Sequence, residues 1–163
     1  MKAPTVKDSN LQFTNLLRRP HTVMIVVHHT GDLVDNDLSA ERIHAMHLMN
    51  GWAGCGYHYI IRKDGTIEAG RPEWASGAHA EGYNSNSIGV HLCGNFEYVP
   101  PTDAQIESAA CLIGWLCDKY DLIPDKRHVV GHCDLMPTAC PGHFLYEDLQ
   151  IIRGKAIWYQ QHY

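Results

Sequence analysis

The chain has 163 residues, of which 45% are hydrophobic and 19% charged, and its formal net charge at pH 7 is -5. This length fits one compact domain, and the low charged fraction excludes an intrinsically disordered chain. The acidic balance argues against a nucleic-acid-binding protein, which usually carries an excess of Lys and Arg.

The first predicted elements are a buried strand and an amphipathic helix. A β-branched run predicts a strand over residues 21–29, and Ser39 can cap a helix that extends to about Asn50. The apolar side of this helix is expected to comprise Ile43, Met46, Leu48 and Met49.

A hairpin and a long loop follow the first helix. Residues 57–61 predict a second strand, which the Asp64-Gly65 turn joins to a short strand over residues 67–69. Residues 70–87 are rich in Gly, Ser, Asn and Pro and predict a loop. Loops of this length in compact domains are usually functional or disordered.

The second half predicts two more strands and two helices. Strands are expected over residues 87–93 and 127–131. Helices are expected over about 100–120, where Pro100-Pro101-Thr102-Asp103 begins the longest helix of the chain, and over 146–160. The whole pattern predicts an α/β fold: a mixed central β-sheet of about five strands flanked by helices, in a single domain spanning residues 1–163.

Histidine and cysteine are the unusual part of the composition. The chain has twelve histidines, and His is the commonest metal ligand in proteins. It also has six cysteines but no apolar secretion signal near its start, which predicts cytoplasmic synthesis and mostly reduced thiols. No apolar stretch is long enough to predict a membrane span.

The ends of the first and last predicted strands collect candidate metal ligands. His28 and His29 close the first strand, and His132 follows the last strand, with Cys140 eight residues later. Two imidazoles and one thiolate form a ligand set that Zn²⁺ takes readily. Three protein ligands leave the fourth tetrahedral position for water, as in catalytic zinc sites.

Five motifs make a family resemblance specific. In chain order they are Val26-Val27-His28-His29-Thr30, Gly56-Tyr57-His58-Tyr59-Ile60-Ile61, His79-Ala80-Glu81-Gly82-Tyr83-Asn84, Ser87-Ile88-Gly89-Val90 and Gly131-His132 with Cys140-Pro141-Gly142. This series resembles the zinc-dependent N-acetylmuramoyl-L-alanine amidases, the family of phage amidase-type lysozymes and peptidoglycan recognition proteins. The resemblance is strongest over residues 20–155.

The resemblance implies an activity, a metal and site residues. It implies Zn²⁺ held by His28, His132 and Cys140, a catalytic tyrosine at Tyr57, and Thr138 at the position two before the cysteine ligand. The implied reaction is hydrolysis of the amide between N-acetylmuramic acid and L-alanine of peptidoglycan, by an endolysin or autolysin that reaches the cell wall after release or delivery. We expect a monomer whose partner is peptidoglycan, with no nucleic-acid or membrane partner.

The chemistry of these residues suits amide hydrolysis. A phenol with an ordinary pKa near 10 is a better hydrogen-bond donor than base at pH 7, so Tyr57 is expected to support the developing oxyanion or to orient water. The Thr138 hydroxyl can hold substrate or oxyanion but lacks the charge of the lysine found in some phage members, which indicates a supporting role.

The loop over residues 70–87 supplies the candidate substrate-binding residues. His79, Tyr83 and Asn84 have side chains that suit a sugar-peptide groove, although a self-packed loop explains them about equally well. Arg71 is a weaker candidate, which can pair with a carboxylate of the stem peptide if it is not simply a surface residue.

Several other residues have two possible roles. Adjacent strand residues face opposite ways, so only one of His28 and His29 can face the metal, and the family register favours His28. His91 stands where other branches of the superfamily have a Glu base; it either shuttles protons or fills the core, and we favour the core. Cys133 is expected to be a small buried side chain, and it is the best substitute ligand if Cys140 is not one.

His44 and His47 lie one turn apart on the first predicted helix. This spacing permits metal chelation, but a solvated or partly packed helix face is the favoured interpretation.

Two other functions compete with the zinc amidase. One is a recognition module that binds peptidoglycan without cutting it; non-catalytic members of the family typically lose the cysteine ligand, which this chain retains as Cys140. The other is a thiol hydrolase with Cys140 or Cys133 as its nucleophile, which a metal chelator would not inhibit.

Overall fold

A computed structural model describes residues 1–163 and contains five strands and three helices. The strands are β1 (Met24–His29), β2 (Tyr59–Ile61), β3 (Ile67–Ala69), β4 (Ser87–Leu92) and β5 (Val129–Gly131). The helices are α1 (Ala40–Met49), α2 (Asp103–Lys119) and α3 (His143–His162). Each predicted element is present, with ends displaced by at most three residues, and residues 70–86 contain no strand or helix.

The strands form one mixed sheet in the order β3-β2-β4-β1-β5. β1 lies parallel to both β4 and β5, β2 lies parallel to β4, and only the β2–β3 hairpin is antiparallel. This confirms the predicted mixed sheet of five strands. The carboxyl ends of β1, β4 and β5 therefore meet at one edge of the sheet, where open α/β sheets bind their ligands.

The two faces of the sheet carry different side chains. α2 and α3 pack on one face, where β1 contributes Ile25 and Val27 to the main hydrophobic core. α1 belongs to a smaller buried cluster that includes Ile60. Because successive strand residues alternate between faces, His28 points away from the main core. The metal-ligand candidate on β1 is thus on the face that α2 and α3 leave uncovered.

The helix ends are defined by local hydrogen bonds. Ser39 caps α1 by accepting from the backbone N–H of Arg42. Thr102 caps α2 in a reciprocal capping box with Gln105. The prediction that this second helix is the longest was wrong, because α3 has 20 residues and α2 has 17.

The predicted apolar side of α1 was also wrong in part. Ile43 is buried as expected, but Met46, Leu48 and Met49 are exposed and His44 is buried instead. His44 takes the inner position because both of its ring nitrogens bind backbone groups of neighbouring segments, which apolar periodicity does not reveal.

None of the three helices combines the length and hydrophobicity needed to cross a membrane.

Candidate active site

The sheet register brings His28 and His132 together. Val27 pairs with Gly131 across β1 and β5, so the residues that follow them, His28 and His132, lie side by side at the same edge of the sheet. The chain then makes a short 3₁₀ turn over His132–Asp134 and returns past Cys140 before α3 begins. A backbone hydrogen bond of 2.8 Å from Cys133 N to Cys140 O closes this return.

The three candidate ligands form one compact group. One ligand atom from each of His28, His132 and Cys140 lies within 4.8 Å of the other two. The Nδ1 atom of His28 is 3.6 Å from Sγ of Cys140. A nitrogen and a sulfur that share a tetrahedral zinc ion at ordinary bond lengths are about 3.5 Å apart. The group therefore offers the ligand types that Zn²⁺ binds, and its His28–Cys140 pair has the spacing of two zinc ligands.

Both histidines of this group are held in their neutral form. Burial lowers the pKa of His28 well below its ordinary value, and the neighbouring His79 lowers it further. Desolvation also lowers the pKa of His132. A neutral imidazole offers a lone pair to a metal, so the environment selects the ligand form of both rings.

The backbone around Cys140 opposes part of the effect that burial has on its thiol. Burial raises the pKa of its thiol to about 12, while a hydrogen bond from the backbone N–H of His29, with N···S 3.4 Å, opposes that shift. The backbone N–H of Cys140 donates to Oγ1 of Thr138 at 3.2 Å. The Thr138 hydroxyl proton is consequently free to point elsewhere, and Thr138 lines the same pocket as the three ligands.

Tyr57 lies beside the ligand group. Its ring centroid is 5.0 Å from that of His28. Tyr57 lies two residues before β2, and its side chain lines the pocket around the ligand group. Desolvation raises the pKa of Tyr57 well above its ordinary value, and the nearby Cys140 raises it further. The phenol therefore stays protonated at neutral pH and can donate a hydrogen bond to an oxyanion.

The pocket around this group has a volume of about 460 Å³. Its lining also includes residues that the sequence did not single out as site candidates: Thr30, Gly31, Asp32, Asn95, Glu97, Tyr98 and Ala139. Most of them belong to the segments that follow β1 and β4. In the sequence, only their position after a predicted strand indicates a role in the site, because loops after parallel strands line ligand sites in α/β sheets.

His29 and His91 have structural contacts near the pocket. His29 accepts a hydrogen bond at Nδ1 from the backbone N–H of Phe96 at 3.1 Å, so its ring orders the segment after β4. His91 is buried beneath Tyr57, with ring centroids 4.5 Å apart, and its Nε2 lies 2.9 Å from Oγ1 of Thr30. His91 does not line the pocket, which favours the core role over a proton shuttle.

The structure corrects the expectation for Arg71. This side chain is 6% exposed, and its guanidinium donates to the backbone carbonyls of Cys55, Ser76 and Gly54. Arg71 is therefore neither a surface residue nor available to a substrate carboxylate. It holds the loop after β3 against the segment that leads into Tyr57.

The other three predicted substrate-binding residues also lie outside the pocket lining. Asn84 accepts hydrogen bonds from the backbone N–H groups of His79 and Ala80, both at 2.9 Å, and so closes the loop on itself. Tyr83 is partly exposed in the same turn. His79 is only 8% exposed, and its Nδ1 lies 2.9 Å from Nε2 of His28. It reaches the site from behind a metal-ligand candidate rather than from the substrate side.

His44, His47 and His58 bind backbone groups rather than forming a second metal group. The Nδ1 atoms of His44 and His47 accept from the backbone N–H groups of Cys55 and Gly56. His58 accepts from Gly89 N–H and donates to the carbonyl of Ala75. These contacts favour the packed interpretation of the α1 histidines over metal chelation.

Comparison with known proteins agrees with this geometry. A model of the family described as N-acetylmuramoyl-L-alanine amidase matches residues 18–143. The endolysin of Enterobacteria phage T3 is 39% identical over 128 residues, covering 76% of this chain and 82% of the relative. The endolysin of Escherichia phage T7 is 38% identical over 129 residues, covering 76% of this chain and 83% of the relative.

Solved structures and a second class of relatives complete the comparison. The N-acetylmuramoyl-L-alanine amidase LysC from Clostridium intestinale superimposes with a TM-score of 0.83 at 37% identity, covering 91% of this chain and 97% of that one. A peptidoglycan-recognition protein of Drosophila melanogaster is 33% identical over 132 residues, covering 78% of this chain and 72% of the relative.

Proposed function

The chain belongs to the N-acetylmuramoyl-L-alanine amidase family and is a peptidoglycan amidase, and we propose that it works with Zn²⁺ held by His28, His132 and Cys140. The observation that supports zinc most directly is the spacing of the three ligand atoms, all within 4.8 Å, at the edge of a pocket that also contains Tyr57. When bound, zinc supplies a Lewis acid that polarises an amide carbonyl and makes water a nucleophile near neutral pH.

The catalytic protein groups we propose are Tyr57 and Thr138. Tyr57 keeps its proton because burial raises its pKa, so it donates a hydrogen bond to the carbonyl oxygen as that oxygen gains negative charge. Thr138 accepts from Cys140 N–H and directs its own proton toward the substrate, which orients the amide without adding charge.

The substrate specificity we propose is the family's amide, between N-acetylmuramic acid and L-alanine. Peptidoglycan is the ligand or substrate that connects the amidase and recognition-protein relatives. All three ligands and Tyr57 come from one chain and one pocket, which supports a monomer whose residues 1–163 act as one catalytic domain. We place its action at the cell wall, after synthesis in the cytoplasm and release or delivery.

Binding without cleavage is the second candidate function. The similarity to the Drosophila peptidoglycan-recognition protein is the observation that favours it. The complete ligand group and the adjacent Tyr57 favour the enzyme, since recognition alone needs neither.

Metal analysis tests the zinc assignment. We expect the purified protein to bind one Zn²⁺ per chain, to lose it to a strong chelator, and to gain thermal stability when zinc is restored, because a ligand that binds only the folded state stabilises it. At a free zinc concentration 100 times the dissociation constant, the gain is about 2.7 kcal/mol. Failure to bind zinc, or a stoichiometry unaffected by substitution of His132, would contradict the assignment.

A further inference from the structure

We infer that His79 is a positioning residue that fixes His28 in the tautomer offering Nδ1 to the metal, and that Ser87 and the Tyr83 carbonyl fix His79 in turn. We call the series His28–His79–Ser87–Tyr83 carbonyl the support chain. This inference deepens the proposed zinc site and rests on it. It also gives His79 a role other than substrate binding.

Three contacts make up the support chain. Nε2 of His28 is 2.9 Å from Nδ1 of His79. Nε2 of His79 is 3.3 Å from Oγ of Ser87. The Ser87 hydroxyl donates to the carbonyl oxygen of Tyr83 at 2.7 Å. His28, His79 and Ser87 are all buried, so bulk water does not replace these partners.

The carbonyl at the end of the support chain determines which atom donates and which accepts in each of its hydrogen bonds. A carbonyl only accepts, and an O···O distance of 2.7 Å requires the Ser87 proton to lie between the two oxygens. Ser87 has no second proton, so it must accept from Nε2–H of His79. A neutral imidazole carries one N–H, so Nδ1 of His79 accepts from Nε2–H of His28.

This order of donors and acceptors leaves a free lone pair on Nδ1 of His28. This is the atom that lies 3.6 Å from Sγ of Cys140 and belongs to the ligand side of the ring. If the proton pattern were reversed, Nδ1 of His28 would carry a hydrogen and could not bind a metal. The support chain therefore selects the one tautomer of His28 that is competent for ligation.

Two glycines make room for His79 and fix its ring. A Cβ atom on Gly89 would lie 2.7 Å from Cγ of His79, and one on Gly77 would lie 2.5 Å from its Cδ2. Both distances are closer than side-chain atoms tolerate, so the ring fills space that only glycine leaves open. The ring therefore has little freedom to rotate away from His28.

The expected effect of losing this support is weaker metal binding. Removing the hydrogen-bond partner of a ligating histidine typically lowers metal affinity by 10- to 100-fold, because the ring loses both its orientation and its tautomer. The test compares His79→Leu, which removes the acceptor, with His79→Asn, which places a side-chain oxygen near the position of Nδ1. Zinc affinity is measured by competition with a chromophoric chelator.

We expect His79→Leu to bind zinc about 10- to 100-fold more weakly and His79→Asn to recover most of that loss. His44→Leu is the matched control, because His44 is about as buried as His79 and both of its ring nitrogens are hydrogen-bonded, in its case to backbone groups, but it does not touch the ligand group. It should lower thermal stability and leave zinc affinity unchanged. Equal zinc affinity in His79→Leu and the wild-type protein would overturn the inference.

Ser87→Ala keeps the test decisive if His79→Leu does not fold. This change removes the acceptor for His79 but retains both rings, so we expect a smaller loss of zinc affinity, roughly 10-fold or less. Unchanged zinc affinity in Ser87→Ala would contradict the inference that the Tyr83 carbonyl, through Ser87, determines which nitrogens of His79 and His28 carry the protons.

Histidine tautomers in the metal-free protein give a readout that does not depend on zinc. Long-range ¹H–¹⁵N spectra should show both His28 and His79 as Nε2–H tautomers, and a Nδ1–H tautomer of His79 would overturn the inference. If the wild-type protein bound no zinc while both rings showed Nε2–H, the proposed zinc site would fail but the support chain would stand.

Discussion

Replacing Cys140 with serine is expected to abolish measurable amidase activity and to lower zinc affinity by more than about 100-fold. The loss should exceed the 10- to 100-fold cost of removing an outer partner of a ligand, because the change removes a ligand itself. A serine hydroxyl is not the soft thiolate that zinc binds readily. Zinc content after dialysis and the release of soluble fragments from purified peptidoglycan measure the two effects.

Cys133→Ser is the matched control for this prediction. Cys133 is partly exposed and only seven residues away, and its hydrogen bond to the Cys140 carbonyl comes from its backbone rather than its thiol. The control variant should keep zinc, activity and the stabilisation that zinc provides. If Cys133→Ser lost zinc and Cys140→Ser retained it, the ligand assignment would have to move to Cys133.

Tyr57→Phe is expected to lower kcat by about 100- to 1,000-fold while zinc binding persists. This is the typical cost of removing one hydrogen-bond donor to an oxyanion. The KM value should change little, because the donor acts mainly on charge that develops in the transition state. Steady-state kinetics on a soluble muropeptide substrate, together with zinc content, measure the effect.

The pH profile of kcat gives a second test of the role of Tyr57. Since burial raises the pKa of Tyr57, its hydroxyl remains protonated from pH 6 to pH 9, and kcat should show no loss from phenol ionisation there.

Tyr59→Phe is the control variant for Tyr57→Phe. It also removes a hydroxyl, but one that donates to Glu73 at 2.5 Å outside the pocket. It should cost about 1.5 to 3 kcal/mol of stability, because the lost hydrogen bond is to a carboxylate, and leave kcat within about two-fold. Equal losses of kcat in both variants would refute a specific role for Tyr57.

The strands were predictable because local patterns specify them, whereas the ligand group was predictable only with the help of the family resemblance. The buried β-branched run of β1 and the Asp64-Gly65 turn of the hairpin have strong local preferences, and the structure contains both elements. The observed register pairs Val27 with Gly131 and so brings His28 beside His132, but it depends on contacts between strands that are distant in the chain. The family resemblance supplied the pairing with Cys140, which no local pattern contains.

The loop over residues 70–87 was predictable as a loop but not in its contacts. No periodicity tells whether a loop side chain faces the substrate or the interior, because that is set by distant partners. Arg71 turns inward to bind three carbonyls, and His79 turns inward because Gly77 and Gly89 leave space for its ring. The same limitation explains α1, where backbone partners draw His44 inward while Met49 is exposed.

If His28, His132 and Cys140 hold a catalytic zinc ion, hydrolysis of the proposed amide exposes a new L-alanine amino terminus and depends on the metal. The most direct measurement is the release of new L-alanine amino termini from purified peptidoglycan, with the protein untreated, treated with a zinc chelator, and resupplied with zinc. We expect L-alanine termini to appear, to be lost with the chelator, and to return with zinc. Cleavage that continues in the presence of the chelator would contradict the zinc mechanism and indicate a thiol nucleophile, and zinc binding without new L-alanine termini would contradict hydrolysis of this amide.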